Sequence, residues 1–224
     1  MSGLAIVTGA SAGLGVGFAE ALAKRGQPLL LVARRADRLE QLAQRLRAQV
    51  PVETLSVDLG EHDGAQAVIA HVRLNCIALM DLCHGVLPGM IAAKSGGILN
   101  IASTAAFQPG PWMAVYYATK AFVLSFSEAL HEEVRGHGVR VSALCPGPVN
   151  TEFAGIAGMT DMAAFKQMAS GPDAVVRDGL AALDANEAVK ISGTLNAVLA
   201  NTVRFPPRGL ARRIAGGLQK ARQG

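Results

Sequence analysis

The sequence predicts an α/β fold built on a doubly wound parallel sheet, and three observations carry that prediction. Short apolar runs alternate with segments of helical periodicity, the pattern of successive βαβ units. The strand-like runs are apolar almost throughout, as expected where helices cover both faces of a sheet. Glycine is abundant, at 25 of 224 residues, which suits tight strand-to-helix turns.

Taken in order, Leu4–Thr8 reads as the first strand, followed by a helix from about Leu14 to Arg25 that Gly26 ends. Pro28–Val32 is the second strand. Ala36–Gln49 is an amphipathic helix with Leu39, Leu42 and Leu46 on one stripe. Val52–Val57 is the third strand and closes on Asp58. Gly97–Ser103 is a later strand, Pro111 to about Arg135 a long helix, and Val139–Cys145 a further strand after Gly138. The stretch from Asp58 to Gly97 breaks this rhythm, because it reads as almost entirely helical, over 65–74 and Asn75–Lys94. Pressing Val68–Val72 into a strand would leave about half a dozen residues for a crossover that needs ten to twelve. One central strand is therefore expected to be missing. Its neighbours would be left unpaired, or the first strand would pair directly with Gly97–Ser103.

The chain is long enough for one well-buried α/β domain over 1–224, with a basic amphipathic segment at about 204–224. No run approaches eighteen apolar residues, so no membrane-spanning helix is expected. No charged segment, apolar stretch or cleavage site of a signal peptide precedes the first strand. Cys76, Cys83 and Cys145 lie in apolar surroundings and read as thiols of a reducing, cytoplasmic setting. The five histidines show no metal-ligand spacing, so no metal is expected. The net charge of +4 is unevenly placed. Lys190, Arg204, Arg208, Arg212, Arg213, Lys220 and Arg222 follow Glu187, and no acidic residue does. The basic character belongs to this segment, the remainder being slightly acidic.

Two motifs carry chemistry. Thr8-Gly9-Ala10-Ser11-Ala12-Gly13-Leu14-Gly15 is a glycine-rich turn between a strand and a helix. There, Gly9 permits the turn, Gly13 lets the backbone approach a pyrophosphate, and Gly15 lets the helix pack close to the sheet. The first helical N–H groups then face negative charge, so the turn can hold a dinucleotide. The second strand ends in Arg34-Arg35 where an NAD site would carry an acid for the ribose. These arginines can instead pair with a 2′-phosphate, which favours NADP over NAD, or serve simply as solvated residues opening a helix. The second motif is Tyr116-x-x-x-Lys120, with Ser103 thirteen residues upstream. Tyrosine is a sluggish acid at neutral pH. A lysine on the same helical face, together with a positive nicotinamide ring, would favour tyrosinate and bring proton transfer into range. Tyr117, at i−3 from Lys120, competes for the role, and helix geometry does not separate the two.

These motifs together resemble the classical short-chain dehydrogenase/reductase family. TGASAGLG corresponds to its TGxxxGxG, Ser103 to its active-site serine, and Tyr116/Lys120 to its catalytic pair, a register that selects Tyr116 over Tyr117. Pro146-Gly147-Pro148-Val149-Asn150-Thr151 corresponds to PGxVxT, which implies contacts of Val149 and Thr151 with the nicotinamide end. Leu74-Asn75 corresponds to the start of the helix whose Asn holds a proton-relay water, and Asp58 to the acid beside the adenine. The resemblance spans Leu4 to Thr151. It implies a Rossmann-type sheet, Ser103, Tyr116, Lys120 and Asn75 as catalytic residues, and a homodimer or homotetramer packed through the two central helices. The cofactor contacts implied are Thr8, Gly9, Ser11, Gly13, Leu14, Gly15, Arg34, Arg35, Asp58, Tyr116, Lys120, Pro146, Gly147, Val149 and Thr151. The family's strand ending in Asn-Asn-Ala-Gly has no counterpart. Sixteen residues separate Asp58 from Asn75, so roughly thirty are absent, and a shift of about 1 Å in the reacting groups can cost a hundredfold in rate.

The expected activity is hydride transfer between NADP(H) and a hydrophobic carbonyl or secondary alcohol. Phe107, Trp112, Phe153 and the segment 154–168 would line the cleft, or else pack as ordinary core and lid. The alternative is a catalytically impaired relative that persists as a binding or scaffold protein, and a third reading is a shortened variant that folds poorly. In the basic segment, Leu210, Ile214 and Leu218 recur every four residues among arginines. This amphipathic helix would dock on the protein's own body or a sister subunit, or lie on an anionic membrane surface. Nucleic-acid binding is not expected, since no recognised motif or interleaved aromatics accompany the charge.

Overall fold

The computed structural model describes residues 4–57, 72–150, 170–203 and 205–220, with the side chains of 218–220 left aside. The chain divides into two compact units, one from Met1–Glu61 and Pro148–Arg177, the other from His62–Gly147 and Asp178–Gly224.

The first unit holds a three-stranded parallel sheet in the order β1-β2-β3, from β1 (Ala5–Thr8), β2 (Leu29–Ala33) and β3 (Val52–Ser56). This is one half of a doubly wound arrangement. Ala5 is in register with Leu29, and Leu29 with Val52. The central strand carries Leu29 and Leu31 fully buried, as its apolar run requires. Two helices cross between the strands, α1 (Gly13–Lys24) and α2 (Ala36–Leu46). On α2 the stripe Leu39, Leu42, Ala43 and Leu46 is buried, at the spacing of one helical face.

The second unit repeats the scheme. Strands β4 (Gly96–Ile101), β5 (Val139–Pro146) and β6 (Val189–Ser192) form a parallel sheet in that order. Strand β5 lies between the other two and is buried along nearly its whole length. A π-helical turn at Arg73–Ile77 runs into α3 (Ala78–Ala93), and α4 spans Ala114–Val134. Leu130 and Val134 of α4, Cys83 of α3, and Val139 and Val141 of β5 make one core cluster. Ala102, Val123, Leu124, Ala143 and Cys145 make a second, with Phe107 packed on it. Further along, α5 (Pro172–Asp184) runs from the first unit into the second, and α6 (Thr194–Thr202) and α7 (Arg208–Lys220) follow β6.

The structure bears out the parallel α/β reading and the five strands expected from sequence. Helix α5, strand β6 and helix α6 were not foreseen. Among the described residues no strand lies between β3 and β4, and β1 and β4 each stand at the edge of their sheet. Leu4 and Ile6, beside and within β1, are 57% and 45% exposed. Helix Arg73–Ala93 departs from the expectation drawn from apolar run length. Its mean hydropathy of 1.6 makes it long and apolar enough to cross a membrane by length and composition. It lays Leu79, Leu87, Met90 and Ile91 on the core cluster of its unit and carries Asp81 and His84. Of the helix expected over 65–74, residues 65–71 lie outside the described residues.

Candidate active site

Each unit presents its own group of functional residues. In the first, β1 ends at Thr8 and the chain turns through Gly9 into α1. Gly9 and Gly13 take φ angles of +65° and +54°, a region that L side chains enter at a cost. Gly15 is fixed by proximity instead: a Cβ there would stand 2.2 Å from the Gly9 carbonyl oxygen. The first turn of α1 is thus pressed against the turn that precedes it. Ala12 caps this helix without a side-chain hydrogen bond, and no acid occupies the first turn. Its leading N–H groups therefore keep their donors for an outside acceptor, and the positive helix end favours an anion. The geometry fits a dinucleotide pyrophosphate.

Arg34 and Arg35 follow β2 and are exposed. The Arg35 guanidinium reaches back to the turn, with Nε 3.4 Å from Ser11 Oγ and an Nη 3.4 Å from the Ser11 carbonyl oxygen. Ser11 and Arg35 thus form a polar pair beside the glycine turn, suited to a phosphate monoester. Val149 lies in the same unit, bridged in parallel to Ser170, whose N–H donates to the Pro148 carbonyl at 2.9 Å. Asp58, Thr151, Phe153 and 154–168 lie outside the described residues.

In the second unit, Ser103 sits just past β4 as the cap of a short 3-10 turn, Thr104–Phe107. Its hydroxyl accepts from the Ala105 N–H at 3.1 Å and stands 3.5 Å from the Pro146 carbonyl oxygen. Tyr116 and Lys120 face it from α4. A hydrogen bond joins Tyr116 to Ser103. Tyr117 goes elsewhere. Its ring lies over Gly110, where an added Cβ would come within 2.2 Å of the tyrosine Cδ2. The two rings meet edge to face, with centroids 6.0 Å apart. Tertiary packing thus separates two tyrosines that helix spacing left equivalent.

Lys120 donates from Nζ to the Ile101 carbonyl at 2.9 Å and stands 6.0 Å from the Tyr116 ring centroid. Burial brings its pKa down to about 8, against upward pulls from Cys145 and Cys76. The surroundings of Tyr116 act on its phenol in both directions. Burial pushes the phenol up, its hydrogen bond with Ser103 pulls down, and Tyr117 adds to the rise. The phenol is protonated at neutral pH and equipped to donate.

Asn75 lies half-buried in the π-helical turn, which packs on α4 next to this group. Such turns recur at functional sites. Its neighbour Cys76 feels Lys120 electrostatically. Gly147, after β5, is held by a residue that the sequence did not single out. Asn196 of α6 is 5% exposed, and a Cβ at Gly147 would lie 2.3 Å from its Nδ2. Nδ2 donates to the Ser192 carbonyl at 2.9 Å, and Ser192 Oγ donates to Asp178 Oδ2 at 2.5 Å. A buried polar chain therefore backs the Pro146–Gly147 segment. Nothing in local sequence signals it, since Gly147 and Asn196 meet only through the fold. Phe107 packs on the core and Trp112 is 55% exposed, with a φ of +61°.

The pattern of the short chain dehydrogenase family matches residues 3–75 and 70–160 of the chain. Over 190 residues the chain is 32% identical to very-long-chain 3-oxoacyl-CoA reductases of Bos taurus and Homo sapiens. That alignment covers 68% of this chain and 61% of theirs, so the chain spans about three fifths of these relatives. It is 31% identical to sulfoacetaldehyde reductase 2 of Chromohalobacter salexigens, over 88% of this chain and 90% of that protein. Among solved structures, a short-chain dehydrogenase from Sphingobium yanoikuyae in complex with NADPH superposes with a TM-score of 0.78. It is 30% identical, over 92% of this chain and 96% of that one. A 7β-hydroxysteroid dehydrogenase, 22% identical, shares the fold with a TM-score of 0.84 over 95% of this chain and 96% of that one.

Proposed function

This chain belongs to the short-chain dehydrogenase family, and from that premise we propose that it is an NADP(H)-dependent reductase of hydrophobic carbonyl compounds. The observation that carries this reading is the group Ser103, Tyr116 and Lys120, with Tyr116 protonated and hydrogen-bonded to Ser103.

NADPH, when bound, supplies the hydride. The glycine turn from Thr8 to Gly15 holds its pyrophosphate, and Arg35 with Ser11 binds the 2′-phosphate, Arg34 adding charge. Thr8, Leu14, Pro146, Gly147, Val149, Thr151 and Asp58 complete the contacts. Ser103 Oγ donates a hydrogen bond to the substrate oxygen, Tyr116 Oη gives that oxygen its proton, and Lys120 balances the charge left on the phenol oxygen. Asn75 orients the relay that returns the proton from solvent. In the reverse direction Tyr116 takes the proton from a secondary alcohol.

The acyl-chain relatives, named for very-long-chain 3-oxoacyl-CoA reduction, support a substrate with a long apolar body and one ketone. The chain acts in the cytoplasm, where its three free thiols persist. It assembles as a homodimer or homotetramer, a reading supported by Leu74, Ile77, Met80 and Leu82 exposed along α3 and its leading turn.

The test is oxidation of NADPH followed with a panel of medium- and long-chain ketones and 3-oxoacyl thioesters. Turnover is expected to fall by about 10²–10⁴-fold in Tyr116→Phe and to survive in Tyr117→Phe. Activity that persists in Tyr116→Phe refutes the assignment. A second reading, a non-catalytic binding protein, rests on the strand edges at β1 and β4. Tyr116-dependent turnover on any member of the panel rules it out.

A further inference from the structure

Helix α7 is attached to its unit in an unusual order. Ala211 and Ala215 are buried, at 9% and 4% exposure, and Gly216 lies beside Pro111 and Trp112. Two larger apolar residues of the same helix stay in water: Leu210 is 49% and Ile214 53% exposed, and Phe205, just before it, is 85% exposed. A helix that docked by its amphipathic face would bury the leucine and isoleucine. Here Ala211 and Ala215 are buried instead, and the stripe of Leu210 and Ile214, about 100° round the helix, remains uncovered.

Cations lie alongside. Arg213 borders the stripe, Arg208 and Arg212 are exposed on the helix, and no acid occurs in the sequence after Glu187. We propose that α7 and Phe205 form an interfacial helix that seats the protein on an anionic membrane surface. Leu210, Ile214 and Phe205 enter the boundary between headgroups and acyl chains, and the arginines pair with phosphate or carboxylate headgroups. Charge decides between a bilayer and a second copy of this surface. Two copies joined through the stripe would oppose Arg213 with its equivalent and find no acid on either helix, whereas an anionic leaflet neutralises every cation. The surface involves none of the residues assigned to catalysis.

The test is co-sedimentation of the intact protein with phosphatidylcholine vesicles, with and without about a third phosphatidylserine, at low and high salt. Binding is expected to the phosphatidylserine vesicles alone and to be released by high salt. Arg212→Gln with Arg213→Gln should weaken partitioning about 25-fold, at roughly fivefold per charge. Leu210→Ser with Ile214→Ser should abolish it and leave NADPH binding and turnover at the wild-type level. Failure to bind phosphatidylserine vesicles at low salt overturns the proposal, as does equal binding to neutral vesicles. A dimer that Leu210→Ser with Ile214→Ser dissociates also overturns it, by assigning the stripe to a second copy. Should the apolar double variant unfold, the exposed arginine pair answers the question alone.

Discussion

Replacing Gly15 by alanine tests the cofactor cradle, because the collision is with backbone. The new Cβ would stand 2.2 Å from the Gly9 oxygen and 2.6 Å from its carbon, with no flexible side chain to move aside. Ordinary carbon–oxygen contact needs about 3.3 Å, so α1 and the turn must part by about 1 Å. Overpacking of this kind costs about 1–3 kcal/mol of stability. The larger effect falls on NADPH, because the donors of the turn and of the helix end no longer converge. Losing two hydrogen bonds to a charged group, at about 1.5–3 kcal/mol each, weakens binding at least about a hundredfold. At a concentration 100 times the wild-type Kd, NADPH stabilises the native chain by about 2.7 kcal/mol, or roughly 5–10 °C in Tm. In Gly15→Ala the same NADPH yields about 0.4 kcal/mol, close to 1 °C. Gly26→Ala is the control, with a φ of +74° and nothing within 4 Å of its Cβ. It should lose about 1–2 kcal/mol to backbone strain and keep the full NADPH shift. A folded Gly15→Ala protein that retains the wild-type shift refutes the cradle.

Three further perturbations probe the neighbouring groups. Arg35→Ala should lower kcat/KM for NADPH by about tenfold or more and leave NADH nearly untouched, if the guanidinium beside Ser11 takes the extra phosphate as proposed. Equal losses for both cofactors would count against that role. Lys120 has a folded pKa of about 8 against an ordinary 10.5, so above pH 8 the unfolded chain holds the proton that the folded chain has released. Stability should therefore rise from pH 8 to 9, by no more than about 1 kcal/mol, in urea titrations of wild type relative to Lys120→Met. Cys145, pushed up to about 12 by burial, acts in the opposite sense above pH 9, which sets the upper limit of the comparison. Gly147→Ala should cost about 1–3 kcal/mol against Asn196, and Asn196→Ala in the same chain should recover much of it, a coupling read from Tm.

The elements legible in the sequence were those whose signal is local. Strand β2 announced itself as a continuous apolar run, and α2 by its leucine spacing, because burial on two faces or on one stripe writes directly into composition. Strand β6 did not. It has four residues, one of them Lys190, and gains its place only by pairing with β5. Helix α5 carried Pro172 and Asp173 at its start and buried Val175, Val176 and Leu180, signals that were present but unused. The site divides the same way. Ser103, Tyr116 and Lys120 were readable from spacing, but the sorting of Tyr116 from Tyr117 depends on the bare surface of Gly110. The raised pKa of Tyr116 comes first from burial, and i+4 spacing cannot encode that. Asn196 became visible only when α6 met the end of β5. Helix α7 showed its amphipathic pattern, but not that Ala211 and Ala215 would be buried while Leu210 and Ile214 stay exposed.

Among the described residues no strand lies between β3 and β4, and the two halves of the proposed chemistry are separable. Cofactor capture belongs to the first unit, where Gly15, Ser11 and Arg35 are in place around an open helix end. Proton delivery belongs to the second, where Ser103 and Tyr116 already share a hydrogen bond. Among the described residues β1 and β4 are each an edge of their own sheet, and Ile6 is 45% exposed. Binding and turnover therefore answer different questions. An NADPH-induced rise in Tm that Gly15→Ala removes tests the first unit alone. Carbonyl reduction that Tyr116→Phe removes requires both units in register to within about 1 Å. A protein that binds NADPH and reduces nothing would assign the loss to alignment, since the acid, its lysine and its serine are all present.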